Sequence, residues 1–296
     1  MSQRDPLEDP LNVLRAEDFP VQPDPAFAAR LRRRLESAVT LPNRTEGVVM
    51  SDTAAEISAL TEPSADEPIQ HGDIGYVSVW VPDAGRAAVF YQYVLGWTYD
   101  PAAHQVTNTE LPVGIVAAAG APTLFCCYAV TDVQAARQSI VDAGGAPGEL
   151  RRTDYGTILD ATDTQGVAFA VYQPPAGQKR LAPNGSGPGE LCYVTYRVPD
   201  SAVFREFYAR VLHWNFEPGR VDDGWQVLNT RPMAGVAGGG GRPTTVPMWT
   251  VADIDAAVAR VREAGGTVSE EPARQPYGIT AECTDDQAVR FYLGQF

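Results

Sequence analysis

The sequence is poor in the residues that build disulfide frameworks and metal centres. Only four of its 296 residues are cysteine and only three are histidine. Cys126 and Cys127 are adjacent, Cys192 and Cys283 stand alone, and no CxxC pair occurs. A disulfide scaffold needs many more cysteines in a much shorter chain, so the sequence excludes that class and predicts reduced, buried thiols.

Long apolar runs and basic residues are also scarce. No hydrophobic stretch approaches the roughly 18–20 residues that a membrane-spanning helix requires, and the opening residues MSQRDPLEDP do not resemble a signal peptide. We therefore expect a cytoplasmic protein. Only 23 lysines and arginines stand against 37 acidic residues, which gives a formal net charge of −14. Because an acidic surface repels phosphate groups, we expect no nucleic-acid partner and no membrane partner.

Residues 1–68 differ in composition from the rest of the chain. They are rich in proline, acidic residues, alanine and serine, and they contain few aromatic residues. The i, i+4, i+8 spacing of Phe27, Leu31 and Leu35 predicts one short amphipathic helix within residues 23–39. We interpret this part as an N-terminal extension of one helix and a linker. The helix is expected to dock on the acidic body or on a partner subunit, which leaves a homo-oligomer open.

An internal repeat organises the remainder of the chain. The matching segments are IGYVSVWVPDAGRAAVFYQYVLGW (74–97) with LCYVTYRVPDSAVFREFYARVLHW (191–214), VTDVQAARQSIVDAGG (130–145) with VADIDAAVARVREAGG (251–266), and DYGTILDATDTQGVAFAVY (154–172) with PYGITAECTDDQAVRFYLG (276–294). Because the order is kept, we predict two copies of one domain, at 69–173 and 189–296, each with its own core. Residues 174–188 have the composition of a linker.

Each copy divides again into two similar units. The alternating strand YVSVWV is followed by the helical segment AGRAAVFYQYVLG and two short strands. The pattern restarts at the strand TLFCCYAV, continues through the helix DVQAARQSIVDAGG, and ends with two more strands. The Gly144–Gly145 and Gly265–Gly266 pairs supply the positive φ that ends a helix. The sequence therefore predicts an α+β fold of four β-α-β-β-β units.

Three motifs recur in the same order in both copies. They are F-Y-x-x-V-L-G/H-W after V-P-D, V-x-D-[VI]-x-A-A…A-G-G, and Y-G…T-D-x-Q before a final strand. Together they resemble the motifs of glyoxalase and bleomycin-resistance proteins of the vicinal oxygen chelate superfamily, in its fused two-domain form. The resemblance covers residues 72–173 and 189–296. It implies that each domain pairs two βαβββ units, with their strands curled around a cavity.

The sequence departs from this family at the metal ligands. Metal-dependent members use His, Glu or Gln from cavity-facing strands, because a divalent ion needs convergent oxygen or imidazole donors. The family's first-strand His position corresponds to Tyr76 and Tyr193, and its final-strand Glu position corresponds to Ala170 and Tyr292. The three histidines are scattered and offer no substitute. We therefore predict no metal site and no cofactor.

Aromatic and hydroxyl-bearing side chains occupy the strand positions that the family uses for its cavity. Period-two alternation places three residues of each first strand on one face, and neighbouring strands add three more. These nine candidates are Tyr76, Ser78, Trp80, Tyr128, Tyr193, Thr195, Arg197, Trp249 and Tyr292. They predict either core packing or a pocket for a small hydrophobic or aromatic ligand, in which Arg197 would anchor an anion.

The repeat also aligns two acidic residues, Asp160 and Glu282. If they face the cavities, each is a candidate general acid or base whose pKa is raised by burial; if not, each is a solvated strand residue. Three functions stay open. The first is metal-independent binding of a small natural-product or antibiotic-like molecule. The second is a metal-independent lyase, isomerase or cyclase of secondary metabolism, and the third is a structural or regulatory subunit.

Overall fold

The computed structural model describes residues 67–153, 156–182, 185 and 187–296. The helix predicted within residues 23–39, like nearly all of the N-terminal extension, lies outside the described residues. The helices are α1 (Ala84–Leu95), α2 (Val133–Asp142), α3 (Ser201–Val211) and α4 (Ile254–Glu263). None of them is long and apolar enough to cross a membrane.

Strands β1–β8 come from the first copy and β9–β16 from the second. Those of the first copy are β1 (Ile74–Val81), β2 (Tyr99–Asp100), β3 (Gln105–Val106), β4 (Val113–Ala117), β5 (Thr123–Ala129), β6 (Ala146–Thr153), β7 (Gly156–Thr162) and β8 (Ala168–Gln173). Those of the second copy are β9 (Leu191–Arg197), β10 (Asn215–Pro218), β11 (Gly224–Leu228), β12 (Met233–Ala237), β13 (Thr244–Thr250), β14 (Thr267–Gln275), β15 (Gly278–Thr284) and β16 (Arg290–Gln295).

Each copy folds into one eight-stranded mixed sheet. The strand order is β2-β3-β4-β1-β5-β8-β7-β6 in the first copy and β10-β11-β12-β9-β13-β16-β15-β14 in the second. The two orders are the same strand for strand, so the sequence repeat is also a repeat of topology. In each sheet the first strands of the two units, β1 with β5 and β9 with β13, pair in antiparallel fashion. The predicted α+β class with tandem βαβββ units is confirmed.

Aspartates fix where the described helices begin. Asp83, Asp132, Asp200 and Asp253 each accept hydrogen bonds from backbone N–H groups in the first turn of their helix. Those N–H groups have no partner within the helix, so a carboxylate at this point stabilises the helix start. The four aspartates belong to the repeated V-P-D and V-x-D motifs, which therefore encode helix starts.

The two copies share one hydrophobic core. Helix α1 packs against α4, and α2 packs against α3, so each contact joins the two copies. Tyr91 of α1 also meets Phe291 of the second sheet, and Tyr208 of α3 meets Phe169 of the first. Buried residues of both copies form a single main cluster. The expectation of a separate core in each domain is therefore wrong, because the apolar faces of the helices contact the other copy as well as their own sheet.

Two equivalent glutamines tie the copies together at the edges of this core. Gln165 donates to the backbone oxygen of Asp200 and accepts from its N–H, and Gln287 makes the same two bonds with Asp83. Both glutamines are the last residue of a T-D-x-Q motif. The motif is thus a contact between copies, and the reciprocal bonds give the pair an approximate twofold symmetry.

Candidate functional site

Each sheet carries a cavity. The first has a volume of about 900 Å³ and the second about 820 Å³. Of the predicted site residues, Tyr76, Ser78, Trp80 and Asp160 line the first cavity, and Tyr193, Thr195, Arg197, Glu282 and Tyr292 line the second. The predicted face of β1 and of β9 is therefore the face that borders a cavity.

Two predicted ligand-binding residues, Tyr128 and Trp249, line neither of these cavities. Tyr128 is 1% exposed and Trp249 is fully buried. The Trp249 ring packs edge-on against Trp97, with ring centroids 4.9 Å apart. The preceding residues, Cys127 and Met248, border the cavities, and the next residue on a strand points to the opposite side. Tyr128 and Trp249 are core residues, and the pocket interpretation was wrong for both.

Strand pairing sets one row of side chains across the wall of each cavity. The row consists of Tyr76, Cys127, Ala170 and Asp160 in the first copy. It consists of Tyr193, Met248, Tyr292 and Glu282 in the second. These rows include the positions at which the family resemblance places metal ligands.

The donors on these rows do not fit a divalent metal ion. The only carboxylate of each row is held by an arginine: Asp160 Oδ2 lies 2.5 Å from Arg151 Nη2, and Glu282 Oε2 lies 2.9 Å from Arg197 Nη2. A guanidinium so close to the carboxylate repels a second cation. No group of three His, Cys, Asp or Glu side chains converges among the described residues.

Aromatic side chains dominate the first cavity. The Trp80 and Phe125 rings stack with centroids 4.6 Å apart and planes 9° from parallel. The Tyr76 ring lies across Gly114, where an added Cβ would come within 2.1 Å of the tyrosine hydroxyl oxygen. Ala170, in the middle of the row, is small and leaves room above the sheet. The wall therefore offers flat apolar surfaces beside an open centre.

Part of this first wall was not predicted from the sequence, including Phe125, Cys127 and Tyr172. Burial raises the pKa of the Cys127 thiol and of the Tyr172 hydroxyl, so both groups stay protonated at neutral pH. The signal that would have found Phe125 is its position opposite Ser78 in the antiparallel pairing of β1 with β5. That pairing is a property of the fold and is not visible in the composition of β5.

A hydrogen-bonded network occupies the second cavity. Arg197 Nη2 donates to Glu282 Oε2 at 2.9 Å and also to the Tyr292 hydroxyl. Arg290 Nε lies 3.4 Å from the other oxygen of Glu282, a side chain that is only 8% exposed. Burial lowers the pKa of Arg197, but Tyr292 and Glu282 outweigh it and hold that pKa above its ordinary value. Burial also raises the pKa of Tyr292 to about 12.

Tyr193 occupies the same place in the second cavity as Tyr76 in the first. Its hydroxyl donates to Gln226 Oε1 at 3.1 Å, and Gln226 Nε2 is fixed by the backbone oxygen of Ala234 at 2.9 Å. Its ring lies across Gly235, where a Cβ would meet the hydroxyl oxygen at 2.2 Å. Burial raises the pKa of Tyr193 to about 12, so the hydroxyl is neutral at pH 7.

The sequence is similar to those of known proteins over most of its length. No family model matches the chain. The anthracycline biosynthesis proteins DauV of Streptomyces sp. (strain C5) and DnrV of Streptomyces peucetius are each 28% identical to it over 247 residues, which is 71% of this chain and 88% of theirs.

Solved structures with the same fold include a glyoxalase and a dioxygenase. The Mn(II)-bound glyoxalase from Novosphingobium aromaticivorans has a TM-score of 0.59 at 16% identity, over 76% of this chain and 82% of its own. The 2,3-dioxygenase LapB from Pseudomonas sp. KL28 has a TM-score of 0.58 at 14% identity, over 78% and 94%. The chain therefore has the tandem glyoxalase-like fold that these structures share.

Proposed function

We propose that the protein binds a planar aromatic small molecule of the natural-product type in its first cavity, without a metal ion. The observation that carries this proposal is the parallel Trp80–Phe125 pair beside the open position at Ala170. Aromatic rings attract other flat rings in offset or edge-on contact, and small-molecule sites are mostly apolar with a few polar groups. The hydroxyls of Tyr76 and Ser78 are such polar groups.

The size of the cavity and the relatives support a ligand of this class. Small-molecule pockets measure about 300–1,000 Å³, and the first cavity, at about 900 Å³, suits a ligand of several rings. Two relatives are named as anthracycline biosynthesis proteins, and an anthracycline carries a flat fused ring system. We therefore propose an anthracycline-like aromatic as the ligand, and the cytoplasm as the place where it is bound.

Metal-independent catalysis by Asp160 or Glu282 is the less favoured function. Asp160 is half exposed and paired with Arg151, and Glu282 is paired with Arg197. Each carboxylate therefore already accepts a hydrogen bond from an arginine of its own cavity, which it holds in place. The surroundings of both carboxylates thus favour positioning of other side chains over proton transfer.

The test is to dialyse the full chain against a chelator, to add an anthracycline, and to measure binding by the quenching of the anthracycline fluorescence. We expect binding at one site, with an affinity that added Zn²⁺ or Mn²⁺ does not change and that Trp80→Ala lowers at least tenfold. Mass spectrometry of the recovered ligand should show it unchanged. Conversion of the ligand would favour catalysis instead, and binding that needs an added metal, or no binding at all, would contradict the proposal.

A further inference from the structure

The two cavities differ most at two equivalent positions. Trp80 of β1 pairs with Val116 of β4, and Arg197 of β9 pairs with Ala237 of β12, so the arginine stands where the first copy has its stacking tryptophan. Tyr292 likewise stands where the first copy has Ala170. The second cavity therefore replaces an apolar surface and an open centre with a cation and a phenol.

Arg197 has N–H groups that this network does not use. A guanidinium carries five N–H groups. The two on Nη2 are taken up by Glu282 and Tyr292. The three on Nε and Nη1 form no hydrogen bond with any described residue, and about a third (32%) of the side chain is exposed. The network thus holds the guanidinium in place while leaving most of its donors open.

The charges around Arg197 favour an anion. Glu282 is neutralised from two sides, by Arg197 at 2.9 Å and by Arg290 at 3.4 Å, so two arginines surround one buried carboxylate. The other charged side chains of the wall, Arg220 and Glu270, are exposed to solvent and oppose each other in sign. Arg290 is exposed and does not itself line the cavity, but it offsets part of the negative charge of Glu282. Less of that charge is then left to oppose a negative group that approaches Arg197.

Aromatic side chains flank this charge. Tyr193, Trp225 and Tyr277 line the same cavity. Two of these rings contact arginines: the Arg205 guanidinium carbon lies 3.6 Å from the Trp225 ring centroid, and that of Arg220 lies 4.8 Å from the Tyr277 ring centroid. An open guanidinium beside flat rings matches a ligand that is both planar and acidic.

We propose that the second cavity is a separate binding site for an aromatic carboxylate. The carboxylate accepts hydrogen bonds from the open N–H groups of Arg197, and the ring of the ligand lies among Tyr193, Trp225 and Tyr277. This site does not depend on the ligand of the first cavity, because it is built from the other sheet and recognises charge as well as shape.

The experiment uses the full chain with 2-naphthoate as the probe and the neutral 2-naphthamide as its matched analogue, measured by calorimetry. We expect naphthoate to bind at one site at least tenfold more tightly than the amide, with an affinity that falls as salt is added. An excess of anthracycline should not displace it.

Three variants locate the site. Arg197→Gln should weaken naphthoate binding at least tenfold, whereas Arg210→Gln, which removes an exposed arginine paired with Glu206, should leave it within twofold. Glu282→Gln should strengthen it, because Arg197 loses its internal competitor; a merely structural role for Glu282 would give no such gain.

Equal binding of acid and amide, or an Arg197→Gln protein that binds naphthoate like the unaltered chain, would overturn the proposal. Displacement of naphthoate by anthracycline would overturn it too, by placing both ligands in one cavity. If Arg197→Gln does not fold, the Glu282→Gln variant and the acid–amide comparison still decide. Absence of naphthoate binding in a protein that binds anthracycline would reject this site alone and leave the first one standing.

Discussion

Two tryptophans in comparable sheets have opposite roles, because one faces a cavity and the other faces the core. Trp80 is half-buried on the first cavity wall, whereas Trp249 is fully buried against Trp97. We expect Trp249→Ala to lower the free energy of unfolding by roughly 3–5 kcal/mol, through lost contacts and a new void. Trp80→Ala should cost much less stability and lower ligand affinity instead. Urea unfolding of both variants checks this, and equal losses would place Trp80 in the core.

Gly114 and Gly235 determine how the two wall tyrosines lie. A Cβ at either position would come within 2.2 Å of a tyrosine hydroxyl oxygen, so Gly114→Ala should displace the Tyr76 ring and cost roughly 1–3 kcal/mol through overpacking. Because the hydroxyl is the nearest atom, Tyr76→Phe should recover part of that loss. A double-mutant cycle by thermal unfolding measures the coupling. Purely additive effects would mean that the backbone, and not the tyrosine, adjusts to the new methyl group.

At the scale of the elements, we expect the last glutamine of each T-D-x-Q motif to stabilise the contact between the two copies. Each forms two hydrogen bonds to the backbone at the start of a helix in the other copy. Since a net hydrogen bond contributes roughly 0.5–1.5 kcal/mol, Gln165→Ala and Gln287→Ala should each lower the free energy of unfolding by about 1–2 kcal/mol. The double variant should show the sum, because distant sites act independently. Gln134→Ala, at an exposed helical position, is the matched control. Losses no larger than that of the control would show that these bonds add no stability.

Much of the element pattern could be predicted from the sequence, because local chemistry encodes it. The aspartates that start helices and the alternation of β1 and β9 are local signals, and both led to the observed structure. In β5 the segment TLFCCYAV is apolar on both faces, so alternation cannot tell the cavity face from the core face. That is why Tyr128 was misassigned.

The shared core could not be predicted from the sequence, for a different reason. An amphipathic helix shows that it has an apolar face, but not which sheet or which copy that face will meet. Tyr91 and Tyr208 carry the same helical spacing whether they pack within one copy or across two. Only the three-dimensional arrangement shows that they contact Phe291 and Phe169 of the other copy.

For the whole molecule, the shared core predicts that neither copy is stable alone. Residues 189–296 on their own would expose the faces of Phe207, Tyr208 and Phe291 that pack against the first copy in the intact chain. We expect this fragment to unfold without a cooperative transition, and we expect mixing it with residues 1–182 to restore one. Calorimetry of each fragment and of the mixture is the measurement. A fragment that is monomeric and melts cooperatively would show that each copy has a sufficient core of its own.

Buried phenols predict how the whole molecule responds to alkali. Burial raises the pKa of Tyr91, Tyr128, Tyr196 and Tyr208 well above the ordinary value of 10.0. Because these folded-state pKa values exceed the unfolded ones, the stability they contribute is complete below pH 10 and is lost as the pH rises beyond it. The phenolate absorbance of these four tyrosines and the circular dichroism of the protein should therefore change over the same range of pH. Full ionisation of all tyrosines with an unchanged dichroism spectrum would contradict this.

The reciprocal glutamine contacts have a consequence for how such a protein can change over generations. If the two copies were separate but identical chains, any substitution in one cavity would be inherited by the other at the same moment. Joined in one chain, each copy acquires its own substitutions while the common contact surface keeps the pair assembled. A tryptophan at position 80 and an arginine at position 197 are then compatible, and one half is free to change the lining of its cavity while the other keeps its own.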